Sequence, residues 1–112
     1  MSLKQSLIAA RALIATPEQW TKNTSARDGR GMRCSVWASD AVCFCIFGTI
    51  DRVSRPDPLS SARDGTELTH ALEEWLPPNL ADYSLDEFND DPDTTHQMVL
   101  DLYDRAIAAA ED

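Results

Sequence analysis

Ser39 to Val53 constrains this chain more than any other stretch. Val42, Cys45, Ile46, Thr49, Ile50 and Val53 recur at i, i+3, i+4, i+7, i+8 and i+11, which is one face of an α-helix. Phe44, Phe47 and Gly48 make much of the opposite side apolar too. A helix apolar nearly all round must be covered on several sides, so residues 39–53 are expected to form a buried central helix. Ser39 and Asp40 suit its N-cap, while Asp51 and Arg52 mark where it reaches solvent. Gly48 costs about 1 kcal/mol against alanine inside a helix, so its presence points to a neighbouring backbone at close range.

The remaining segments supply the cover. Leu3 to Ala15 carries Leu7, Ala10 and Ile14 on one stripe, and Thr16-Pro17-Glu18-Gln19 is a helix-start signature. Trp20 is placed to fill a gap beside that first helix. Residues 21–38 are the least regular; Asp28-Gly29 and Gly31 are turn residues, and a short strand from Met32 to Trp37 would return from them. A small β-hairpin near 23–37 or an ordered loop both fit. After the breaker Ser54-Arg55-Pro56-Asp57-Pro58, a helix spans Leu59 to Leu76, firmest from Thr66, with Leu68, Leu72, Trp75 and Leu76 in register. Pro77-Pro78 ends it. One short turn falls within 82–89 with Leu85 and Phe88 inward, and a last helix runs from Thr95 to Ala110, capped by Thr94 with Gln97. The fold class is mainly α: a bundle of about four substantial helices packed around residues 39–53.

A chain of 112 residues is one domain, 1–112, with room for a real core. Apolar and charged fractions of 43% and 26% are those of a soluble globular protein, and no apolar run approaches the roughly 20 residues of a membrane span. The N-terminal residues lack the apolar core of a signal peptide. Three cysteines are an odd count without a disulfide framework, which implies reduced, cytoplasmic thiols. Charge is unevenly placed: residues 1–65 are net +3, whereas residues 66–112 hold thirteen Asp/Glu against Arg105 alone. That polarity can steer a basic partner, keep the chain soluble, or be used up in pairing between the halves.

Two further groups of residues resemble a family. Trp20 with Arg27-Asp28 and Ala41-Val42-Cys43-Phe44-Cys45-Ile46-Phe47-Gly48-Thr49-Ile50 is one. Phe88-Asn89-Asp90, then Thr95-His96 and the helix through Asp104-Arg105-Ala106-Ile107, is the other. Together they resemble a family of short bacterial and phage-associated proteins of unknown function, over almost the whole chain. Phe88 stands where that family has tryptophan, and Thr49 where it has alanine. The resemblance implies no reaction, cofactor or partner.

Chemistry could lie in few places. Cys43-Phe44-Cys45 has the wrong spacing for a helical metal or redox site, since residues two apart on a helix point about 200° apart. Buried, inert cysteines are the plain expectation. The sharper one takes Cys43 alone, third residue of a helix capped by Asp40, with His96 as base and Asn89 or Asp90 orienting the imidazole: a thiol hydrolase or transferase. Two adjacent Phe residues and the Asp40 carboxylate oppose a thiolate there. No metal or cofactor is expected; the acidic run Asp86, Glu87, Asp90, Asp91, Asp93 lacks the glycine of a calcium loop. Asn89 and Asp90 could instead bond backbone amides near the last helix. Arg27, Arg30, Arg33 and Trp37 form the one basic aromatic segment, but the acidic balance of the chain argues against nucleic acid. The expectation is a small binding or accessory domain with the acidic C-terminal half facing a basic protein partner; the alternative is the thiol-dependent enzyme using Cys43, His96 and Asn89 or Asp90.

Overall fold

The central helix starts later than its periodicity implies. In the computed structural model, which describes residues 2–55 and 65–111, Ala41–Phe44 is a strand (β2) and the helix (α2) runs Ile46–Ser54. Val42, which a helical stripe would bury, is 49% exposed, and the pairing passes over it, since Arg27 stands opposite Cys43 and Asp28 opposite Ala41. The stretch is apolar enough to satisfy either period, and Val and Phe suit a pleated surface, so the strand takes the first four residues. Cys45, not Asp40, is the N-cap of α2, and its Sγ accepts from Gly48 N at 3.3 Å.

β2 pairs antiparallel with Ala26–Asp28 (β1), setting Ala26 opposite Phe44 and Arg27 opposite Cys43, with an irregularity between Arg27 and Asp28. The return expected over 32–37 shrinks to a single bridge on the other side of β1, Arg27 to Arg33, with Cys34 N donating to Ala26 O. Gly48 behaves as its sequence implied. A Cβ there would sit 2.1 Å from Ser25 O, and Cys45 N already donates to that oxygen. The β1 end of the hairpin therefore lies directly on α2.

The first helix (α1) spans Leu3–Ala12, opened by a capping box in which Ser2 Oγ accepts from Gln5 N and Gln5 Oε1 from Ser2 N. Thr16–Gln19 gives a single 3₁₀ turn, Pro17–Gln19. α3 is described over Thr66–Glu73; its expected beginning falls at residues outside those described. Leu68, Leu72 and Leu76 are buried as their register requires, but Trp75 follows the end of the helix and is 40% exposed. α4 is Leu85–Asp90, with Leu85 and Phe88 fully buried. α5 is His96–Ala109, capped by Thr95 Oγ1 on Met98 N where Thr94 had been expected. One core cluster draws Leu7, Ala26, Phe44, Ile46, Leu72, Phe88 and Tyr103 from both strands and all five α-helices. The architecture is mainly α with a small antiparallel pair.

Candidate functional site

Asn89 sits in the last turn of α4 with no exposed surface. Its Oδ1 accepts from Trp20 Nε1 at 2.8 Å and from Ile46 N at 3.2 Å; its Nδ2 donates to Thr21 O at 3.1 Å and Asp90 Oδ1 at 3.0 Å. Indole and amide nitrogens only donate, which fixes the amide orientation, and all four of its bonding positions are filled. Because Ile46 is the first residue of α2, a side chain from α4 shares with Cys45 the task of capping the core helix.

Around this junction, Asp90 Oδ1 also accepts from Asn23 N at 2.8 Å, holding Asn23 at φ 68°, a left-handed conformation Asn tolerates. Lys22 Nζ donates to Asp91 O at 2.6 Å and lies 5.3 Å from the centre of the Trp20 ring. His96 Nε2 lies 2.6 Å from Ile14 O; a carbonyl only accepts, so that nitrogen carries the proton. The His96 ring packs 6.1 Å from Trp20. The junction thus ties the start of α5, the end of α4 and the start of α2 to the loop after α1.

Three of the four candidate site residues, Asn89, Asp90 and His96, therefore gather about Trp20, each bonded to the fold itself. Cys43 stands elsewhere. It lies in β2 instead of a helix, and its Sγ is 3.9 Å from Arg27 O. Among the described residues no hydrogen bond joins it to His96, Asn89 or Asp90. The thiol at the α2 N-terminus is Cys45, and burial raises its pKa although the Gly48 and Phe47 amides pull the other way. A strand removes the helical argument against Cys43 and Cys45 acting together. Even so, the three cysteines are free, and no group of three His, Cys, Asp or Glu is placed to hold a metal among the described residues.

The basic segment is divided as well. Arg27 turns inward, its Nε donating to Thr21 Oγ1 at 2.9 Å and its Nη atoms to Gly31 O and Lys22 O. Trp37 Nε1 donates to Arg55 O, and the Arg55 guanidinium lies 5.3 Å from the Trp37 ring. Arg30 and Arg33 alone of the four remain exposed. In the acidic half, Asp104 pairs with Arg11, Nε to Oδ1 at 2.7 Å and Nη2 to Oδ2 at 3.2 Å. A groove of about 310 Å³ lies between Glu74, Trp75, Leu76, Pro77, Pro78 and Arg105.

Two relationships escaped the sequence reading. The Trp20–Asn89 bond had a signal, because a half-buried indole N–H needs an acceptor. The buried Thr49–Tyr103 bond, 2.5 Å between hydroxyls, had none beyond a polar residue in an apolar helix. Thr49 donates to Ile46 O at 2.6 Å, so Tyr103 donates to Thr49.

The model of a family of unknown function (DUF6197) matches residues 1–109, and the chain belongs to that family. No curated protein and no solved structure matches it.

Proposed function

We propose, from membership of a family with no assigned function and from the chain's own surface, that this is a binding or accessory module whose acidic C-terminal half engages a basic protein partner. The observation that carries it is uncompensated charge. Thirteen carboxylates face Arg105 alone over residues 66–112, and Glu67, Glu74, Asp82 and Asp93 are exposed with no ion pair among the described residues. Among the described residues, Arg11 pairs with Asp104 across the halves, whereas Arg27 spends its guanidinium on carbonyls and a hydroxyl. Such a field speeds and orients encounter with a cationic surface. The residues at the Asn89 junction support a module over an enzyme, because Trp20, Asn89 and His96 have their polar groups engaged within the fold. Three free thiols support a reducing, cytoplasmic setting, and no described helix is long and apolar enough to cross a membrane.

Fluorescence anisotropy with a labelled arginine/glycine peptide tests the reading. Binding should weaken steeply between about 50 and about 300 mM salt. It should also fall about tenfold in the Glu67→Gln/Asp82→Asn/Asp93→Asn variant. Absence of binding at the lower salt, or equal binding by the variant, refutes it.

A further inference from the structure

We infer that the β-hairpin tip of one copy of this chain docks, head to tail, in the Trp75 groove of a second copy. The inference rests on the acidic-face reading above and names the basic surface that face receives.

The tip is built to present side chains. Asp28 Oδ1 accepts from Arg30 N at 2.9 Å and Met32 N at 3.1 Å; Gly31 N donates to Asp28 O, Asp28 N to Met32 O, and Arg27 Nη1 to Gly31 O. Gly31 has φ 79°, where a side chain is strained. This fixed backbone covers no apolar surface with its own outward residues. Met32 is 64% exposed, the most open large apolar side chain described, and Arg30 and Arg33 flank it in solvent. The Asp28 carboxylate is committed to backbone amides, and neither arginine has an ion pair among the described residues. A loop already held in one conformation loses little entropy on docking.

The groove offers the complement. Trp75 is 40% exposed, Pro77 and Pro78 give stiff walls, and about 310 Å³ has room for one long side chain. Methionine is unbranched, and its thioether packs well on an indole. Glu74 lines the groove and Glu73 precedes it at the end of α3, two carboxylates for the two arginines that flank Met32. Arg105 also lines the groove, and its charge disfavours any docking pose that sets a second cation against it. Tip and groove are different patches, so one head-to-tail contact is heterologous and leaves a free groove on one copy and a free tip on the other. The net charge of −9 repels copies at long range, which leaves a short-range contact that operates once that repulsion is screened.

Sedimentation equilibrium from about 10 µM to about 1 mM protein is the test, at about 150 mM salt where the Debye length is about 8 Å. The average mass should rise with concentration, and should fall back at about 1 M salt. Met32→Ser and Trp75→Ala should each weaken association about tenfold. Arg30→Glu/Arg33→Glu should abolish it, and adding Glu73→Arg/Glu74→Arg should restore it, with urea midpoints showing that each variant is folded. A chain that stays monomeric throughout overturns the inference, as does association indifferent to these variants. If the chain is monomeric yet binds the arginine/glycine peptide, this inference falls and the acidic-face reading stands; if it neither associates nor binds, both fall.

Discussion

Trp20 Nε1 donates to Asn89 Oδ1 at 2.8 Å, a bond between residues 69 positions apart that joins the loop after α1 to the end of α4. The same oxygen takes the first N–H of α2. Removing the Asn89 amide therefore strands an indole N–H, a helix-terminal N–H and the Thr21 carbonyl together. Each buried group left unpaired costs about 1–3 kcal/mol.

Asn89→Ala should accordingly lower stability by about 3 kcal/mol or more. Asn89→Asp keeps the shape and the acceptor, yet sets a carboxylate oxygen against Thr21 O and Asp90 Oδ1 where a donor stood, so it should not rescue. Urea unfolding followed by tryptophan fluorescence reads both. A loss under about 1 kcal/mol for either would mean the junction tolerates unpaired groups, against the role given to Asn89.

The second buried polar contact makes a different prediction. Thr49→Ala should orphan the Tyr103 hydroxyl and cost about 1–3 kcal/mol, whereas Thr49→Ala/Tyr103→Phe should recover part of that loss because both partners are gone. Burial raises the Tyr103 pKa above its ordinary value. The folded state then holds a proton that the unfolded state releases above about pH 10, so stability is full below that pH and declines as pH rises past it. Tyr103→Phe should flatten this alkaline decline in pH-dependent urea midpoints.

The sequence spoke most clearly where one side chain meets one physical need. Gly48 announced a close backbone approach, Leu85 and Phe88 a buried turn, and Thr16 to Gln19 a helix start. It misled over residues 39–45, because an apolar run satisfies strand and helix periods alike, and what decides for the strand is its pairing with Ala26–Asp28, which no local pattern announces. That error moved the helix start by several residues and with it the case for Cys43. The Asn89 junction was only half legible. Asn89, Asp90 and His96 were singled out, but their partners, Trp20, Ile46 and Ile14, lie 43 to 82 positions away, and no local pattern encodes such pairings.

Gly48 and Gly29 separate packing from propensity. Gly48→Ala gains helix propensity by about 1 kcal/mol, yet its Cβ would meet Ser25 O at 2.1 Å, and that oxygen belongs to the backbone and cannot swing aside. Overpacking of that kind costs about 1–3 kcal/mol or more, so the net effect should be clearly destabilising. Gly29→Ala meets nothing within 4 Å and should change the thermal midpoint little. A stabilised Gly48→Ala would show that the β1 end of the hairpin does not lie on α2 as described.

The cysteines decide between an inert core and a thiol chemistry. Cys43 and Cys45 are 9% and 8% exposed, and Cys34 is half-buried. Burial raises the pKa of Cys45, and desolvation followed by the Asp40 and Asp28 carboxylates raises that of Cys34, so both stay as thiols at neutral pH. Cys43 is shielded in β2, its Sγ against Arg27 O. In the folded protein at about pH 6, iodoacetamide should label all three slowly, and urea should release labelling by about a hundredfold or more. Mass spectrometry of the alkylated peptides assigns each site. Rapid labelling confined to Cys43 would mark it as activated, and its distance from the imidazole of His96 would then have to close in a state other than this one.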